Sequence, residues 1–168
     1  MLSLAGQVFA EDVFNRVGRA YHISPALLRA IAQVESSFHP YAIGIKRIGG
    51  KPTTEKIRQM VSGGRVVASS KLLSVFPKTY AQARRLIAWL EARGLAFDVG
   101  LCQLNSRTLR RYGLKPAWVL NPEYNLAWAA YHLARLFARH GYSYEAVWRY
   151  NGRREYANRV YGTVRILQ

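Results

Sequence analysis

Glu35 lies three, four and seven residues after Ala32, Ile31 and Leu28, the spacings that place side chains on one helix face. The helix itself is well specified. Ser24 reads as its N-cap, Pro25 as its first residue and Ile23 as an apolar partner for Leu28, while Pro40 and the preceding Ser/Phe/His run end it soon after Glu35. A carboxylate on the core-facing side of a last helical turn is disfavoured twice, by desolvation and by the negative end of the helix dipole. Both effects favour an acid that stays protonated near neutral pH, the state a general acid needs. The alternative for the same position is a salt-bridged or snorkelling surface glutamate.

Other chemistries have weaker support. His22, His39, His132 and His140 form no ligand pair at i,i+4 on one helix and have one cysteine for company, so neither a metal site nor any other cofactor is expected. Cys102 with a histidine could form a nucleophilic pair, but its place between Leu101 and Gln103 favours a small buried thiol. Glycosidic cleavage by hydrolysis normally takes two carboxylates flanking the bond. Besides Glu35 the candidates are Asp98, Glu55, Glu91, Glu123, Glu145 and Glu155. Only Asp98 lies in a segment independently placed near a cleft, so a mechanism with one acid is also open.

Helices must position these groups. Val13, Phe14, Val17, Ala20 and Tyr21 predict a short amphipathic helix before that of Glu35. Residues 42–67, broken by Gly44, Gly49, Gly50, Pro52, Gly63 and Gly64, read as loops with one or two short strands, and residues 71–77 as another extended piece. A helix follows over residues 79–93, its stripe Ala83, Leu86, Ile87 and Leu90, with Gly94 behind it. Phe97 to Asn105 is an apolar segment with polar interruptions. Asn105 caps a helix to Tyr112, and Asn121-Pro122 opens the longest helix, to His140, apolar almost all round and expected to be buried centrally. Ser143 caps the next, ending at Tyr150-Asn151-Gly152, and Tyr156, Val160, Val164 and Leu167 mark a last one. The fold class is α+β, mainly α, with a small β/loop insert forming one wall of a cleft.

The chain has 168 residues, 50% of them hydrophobic, enough for one domain with a sizeable core. Its 25 Lys and Arg against 9 Asp and Glu give a formal charge of +16. Nucleic acid, anionic lipid and acidic wall polymers all suit such a surface. The basic residues follow no recognition-helix pattern, which argues against a nucleic-acid-binding module. No apolar run approaches membrane-spanning length. Residues 1–10, ending Val8-Phe9-Ala10 before Glu11-Asp12, read either as the tail of a signal peptide whose basic start is missing or as a disordered N-terminus, with the domain itself over 11–168.

Three pieces together resemble the soluble, lysozyme-like lytic transglycosylases, most of all those associated with type IV and type III secretion and conjugation. Ala30 to Ala42 is similar to the Glu-Ser motif, Asp98 to Asn105 to the Gly-Leu-Met-Gln motif, and Asn121-Pro122 with Asn125, Tyr150-Asn151-Gly152 and Tyr156 to Val160 to the closing motifs. The likeness runs over residues 13–164. Cys102 stands where the family has Met, His132 replaces an aromatic and Arg149 a small residue. The 44–97 insert is longer than in minimal members.

The resemblance implies a lysozyme-like domain in which Glu35 is the sole catalytic acid and base, acting on the β-1,4 bond between N-acetylmuramic acid and N-acetylglucosamine to leave a 1,6-anhydro ring. It implies that Tyr150 orients Glu35 and that Gln103 and Asn151 hold sugar groups. Ser36, near the helix end, and Gly100 and Asp98, in the cleft-lining segment, complete the expected site. Glycan strands, a secretion, conjugation or pilus apparatus, a periplasmic location and a monomeric state follow as expectations. A hydrolase using Glu35 and Asp98 is the alternative.

Overall fold

The structure, a computed structural model, describes residues 4–48 and 52–167, with side chains from residue 13 onward. The first three residues and the expected glycine break at Gly49-Gly50 lie outside the described residues. The order is α1 (Leu4–Tyr21), α2 (Pro25–Ser36), β1 (Ile43–Lys46), α3 (Thr54–Met60), β2 (Arg65–Ala68), β3 (Leu72–Phe76), α4 (Tyr80–Glu91), β4 (Phe97–Val99), β5 (Leu104–Asn105), α5 (Ser106–Arg111), a 3-10 turn (Pro116–Leu120), α6 (Pro122–His140), α7 (Tyr144–Asn151) and α8 (Arg154–Leu167). The α+β, mainly α class is the one expected. The residues form two compact units, one up to Ser37 and from Leu126 onward, the other Phe38–Asn125.

The first unit is helical. Its core gathers Phe14 and Val17 of α1, Leu28, Ile31 and Ala32 of α2, Leu126, Ala130 and Leu133 of α6, Val147 of α7 and Ala157 and Val160 of α8, all at most 5% exposed. Helix α8 packs on both α2 and α7, and α1 on α2. The helix before Glu35 is longer than expected, starting at Leu4 instead of residue 11. Ser24 is the N-cap residue of α2, but its hydroxyl makes no capping bond; Pro25 at N1 and the Leu28 N–H to Ser24 carbonyl bond (3.1 Å) start the helix instead. Helix α6 is not buried all round: Tyr131, Arg135 and Ala138 face solvent. Stacking one exposed side every turn keeps them there despite the apolar neighbours.

The second unit is built on an antiparallel sheet in the order β2-β3-β1-β4-β5. Alternation along the strands sends Ile43, Ile45, Leu73, Val75, Phe97 and Val99 to one face, each at most 1% exposed. Ala83, Leu86, Ile87 and Leu90 of α4 are buried as their stripe predicts, and Thr79 caps that helix by accepting from Gln82 N. Helix α3 was not foreseen among the glycine breaks; its seven residues bury only Ile57, too little apolar periodicity to read in advance.

One carboxamide closes the chain over the sheet end. Asn125, fully buried near the start of α6, donates from Nδ2 to the carbonyls of Val99 and Val119 (both 3.0 Å) and accepts at Oδ1 from Cys102 N (2.8 Å). Gly100 makes room for it: a Cβ there would lie 2.1 Å from Asn125 Nδ2, and its φ of +82° suits glycine. Asn125→Ala would strand three buried main-chain groups, each costing about 1–3 kcal/mol when unsatisfied. We expect a loss of about 2–4 kcal/mol, measured by denaturant titration, and a change below about 0.5 kcal/mol would contradict this role.

Candidate active site

Glu35 is half-buried in the last turn of α2, while the fully buried position of that turn is Ser36. The reason is the helical period. Leu28, Ala32 and Ser36 follow one another at i+4, so the buried stripe reaches Ser36 and Glu35 stands at its margin. Ser36 Oγ donates to Ala32 O at 3.1 Å. Ser37 and Phe38 then take left-handed conformations (φ of 54° and 61°), which non-glycine residues adopt at a cost and which stop a helix abruptly. Ser37 N–H donates back to Gln33 O at 2.9 Å. From α8, Arg159 Nη2 reaches the carbonyl of Val34, beside Glu35, at 3.4 Å.

Tyr150 and Asn151 close α7 in the same unit. The Tyr150 ring is stacked on Tyr156 (centroids 6.1 Å apart, 14° between planes) and tilted against His132 at 5.5 Å. Two neighbours thus fix its plane. The His132 imidazole is held toward its neutral form, first by burial and then by the nearby Arg135 charge. Asn151 is exposed, and Gly152 ends the helix with its N–H bonded to Trp148 O.

Asp98, Gly100 and Gln103 belong to the second unit, Asp98 on the sheet face opposite the buried one and the other two in the turn after its strand. Register places Val67, Ser74, Gly44, Asp98 and Asn105 in one row across the five strands. Asp98 Oδ1 accepts from Asn105 Nδ2 at 2.7 Å. Gln103, at φ +49°, donates from Nε2 to the carbonyls of Ala42 (3.0 Å) and Gly100 (2.9 Å). Its Oε1 lies over Gly44, where a Cβ would come within 2.8 Å. Gly44 therefore leaves space for the Asp98 and Gln103 side chains, and the glutamine amide N–H groups are already committed to the backbone. Burial raises the Asp98 pKa, against the lowering effects of the Asn105 bond and Lys46.

His39 steadies the turn between the Glu35 helix and this sheet. Its Nδ1 accepts from Tyr41 N at 3.3 Å, and its ring meets Phe76 edge-on at 5.4 Å. Burial, then the Arg65 charge, lowers its pKa, consistent with a neutral acceptor nitrogen.

The sequence-predicted residues thus fall into two local groups, Glu35, Ser36, Tyr150 and Asn151 in one unit and Asp98, Gly100 and Gln103 in the other. Gly44 and His39 were missed as site residues, and Asn125 entered only as part of a matched segment. A polar amide in an otherwise apolar helix start was its available signal. Cys102, the one cysteine of the sequence, is fully buried, as a structural cysteine would be. Among the described residues no group of three His, Cys, Asp or Glu side chains could hold a metal ion.

The sequence from residue 12 to 164 matches the transglycosylase SLT domain. The chain belongs to that family. Among its relatives, the type IV secretion system protein virB1 of Brucella abortus is 36% identical over 104 residues, 62% of this chain and 34% of the relative. The X polypeptide of Escherichia coli K12 is 30% identical over 84% of this chain and 59% of its own length. Protein virB1 of Agrobacterium fabrum is 34% identical over 77% and 44%. This SLT domain chain therefore spans about a third of the length of the Brucella relatives. No solved structure matches it significantly. No helix among the described residues is long and apolar enough to cross a membrane.

Two outcomes test the SLT site geometry. Because the folded-state pKa of Asp98 is raised, its stabilising contribution is complete below the unfolded-state value and is lost as pH rises through the folded one. Asp98→Asn keeps an acceptor for Asn105 and removes the charge. Its thermal midpoint should gain on wild type as pH rises from 3 to 7; a pH-independent difference would contradict a raised pKa. Separately, the buried Cys102 thiol should resist alkylation in the native protein and react once the chain is unfolded, checked by mass spectrometry of the labelled chain.

Proposed function

We propose that the protein is a peptidoglycan lytic transglycosylase with Glu35 as its one catalytic acid and base. Membership of the SLT family over residues 12–164 carries this reading, and the placement of Glu35 at a half-buried helix end supports it. In the first step the Glu35 carboxyl gives its proton to the oxygen linking N-acetylmuramic acid to N-acetylglucosamine. The C1–O bond breaks and its electron pair leaves with that oxygen. The Glu35 carboxylate then takes the proton of the muramyl C6 hydroxyl while O6 bonds to C1, closing a 1,6-anhydro ring without water.

The negative end of α2 suits this cycle, since it disfavours a lasting charge on Glu35 and so returns the proton readily. Tyr150, held between Tyr156 and His132, is the proposed orienting partner, and Asn151, exposed at the end of α7, a contact for sugar groups. Gln103 would offer Oε1 to the strand, its N–H groups being spent on Ala42 and Gly100. Ser36 and Gly100 act as supports, through the α2 end and the Asn125 clamp. The Brucella relatives named for a type IV secretion system support a periplasmic role in opening the wall for an envelope-spanning machine. The charge of +16 would draw such an enzyme to a wall rich in peptide carboxylates.

Glu35→Gln should cost about 10²–10⁴-fold in cleavage, the usual share of general acid–base catalysis. Asp98→Asn should retain most activity. Mass spectrometry of the digest should show anhydro-muropeptides, one water lighter than hydrolysis products. Hydrolysed products together with an inactive Asp98→Asn would replace this reading with the two-carboxylate hydrolase.

A further inference from the structure

Four aromatic side chains of the second unit, none used in the chemistry above, surround one pocket. Its volume is about 620 Å3, and its lining includes Tyr41, Tyr80, Trp118, Asn121, Pro122 and Tyr124. That size lies within the ~300–1,000 Å3 range of small-ligand sites. Tyr80 opens α4, Trp118 stands on the 3-10 turn, Tyr124 lies in the first turn of α6, and Tyr41 comes six residues after Glu35 along the chain. Tyr80, Trp118 and Tyr124 remain 46%, 50% and 38% exposed. Single exposed rings are ordinary, but four lining one concavity form a shared apolar surface.

The pocket's polar groups narrow what it can take. Asn121 Oδ1 accepts from Tyr124 N at 3.1 Å as a helix cap, while its amide N–H groups and the hydroxyls of Tyr41, Tyr80 and Tyr124 have no partner among the described residues. Tyr41 and Tyr80 meet edge to face (6.2 Å, 63°), so ring faces are offered in more than one orientation. Cations stand outside the lining, Arg84 at 5.8 Å from the Tyr80 ring centroid and Lys115 at 5.8 Å from that of Trp118.

We propose that this pocket is a saccharide-binding site for an N-acetylated hexosamine of a glycan strand, with Arg84 and Lys115 meeting carboxylates of its attached peptide. A pyranose has an apolar C–H face that lies on aromatic rings, and its acetamido carbonyl and hydroxyls need the donors that Asn121 and the tyrosines supply. The lining holds no guanidinium or ammonium group, which disfavours a phosphate ligand. It also contains no strand edge on which an extended peptide could pair. The inference rests on the peptidoglycan reading above.

The test uses Glu35→Gln protein, which should not consume its ligand. A trimer of N-acetylglucosamine is titrated in while the Trp118 indole N–H resonance, assigned with Trp118→Phe, is followed by NMR. A saturable shift is expected. Trp118→Ala and Tyr80→Ala should each weaken binding by about 3- to 10-fold, with Trp118→Tyr largely restoring it and thermal midpoints confirming that each variant is folded. Arg84→Ala with Lys115→Ala should leave trimer affinity intact and reduce retention on insoluble peptidoglycan at low salt. No shift at Trp118, or unchanged affinity in both ring variants, would overturn the site, as would displacement of the trimer by a sugar-free peptide. The catalytic reading fails separately: if wild type releases anhydro-muropeptides and the trimer leaves Trp118 unmoved, only the pocket falls. If the trimer moves Trp118 and no cleavage occurs, only the catalytic assignment falls.

Discussion

The second unit depends on the three hydrogen bonds of one side chain. Asn125 ties the end of β4, the turn after it and the 3-10 segment together, and Gly100 lies close enough beneath it that no Cβ fits. A buried carboxamide is costly unless satisfied, and this one meets backbone groups that would themselves be orphaned. The turn it holds puts Gln103 into a left-handed conformation, from which its side chain returns to Ala42 and Gly100. Packing of a core residue and presentation of a site residue are therefore one event here.

The two carboxylates of interest are held in different ways. Asp98 is part of a lattice, bonded to Asn105 and flanked by Gln103 over Gly44, in a setting where burial works against its charge. Glu35 belongs to no sheet and stands where α2 runs out of helical partners, beside a turn of two left-handed residues. A lattice residue suits shaping a surface, and a residue at a helix end suits gaining and losing a proton. That contrast supports the unequal roles proposed for them.

Much of the basic charge lies against aromatic rings. Arg65 is 3.8 Å from the Phe76 centroid and Arg93 4.0 Å from that of Trp89, while Arg149 and Arg154 flank Trp148. Such placement covers apolar surface with the guanidinium plane and keeps the charge in water. The excess charge consequently forms a spread field suited to an acidic polymer, and the rings are partly screened from nonspecific association.

The sequence alone determined where most helices start and stop, because those signals are local. Asn105 and Ser143 cap as read, and the stripe of α4 is buried as read. Local signals also misled: Ser24 looked like a capping hydroxyl and makes no capping bond, and an apolar run hid the exposed side of α6. Glu35 was singled out in the sequence by its spacing, and Asp98 by its neighbours. Only tertiary structure decided that Ser36, not Glu35, takes the buried place, that Gln103 spends its donors on the backbone, and that Asn125 meets Gly100. Those outcomes depend on residues distant in the sequence, as when Gln103 meets Ala42 and Asn125 meets Gly100, or turn on a fraction of a helical turn. No local pattern specifies partners at that range, because they are chosen by what must be satisfied once the chain has folded.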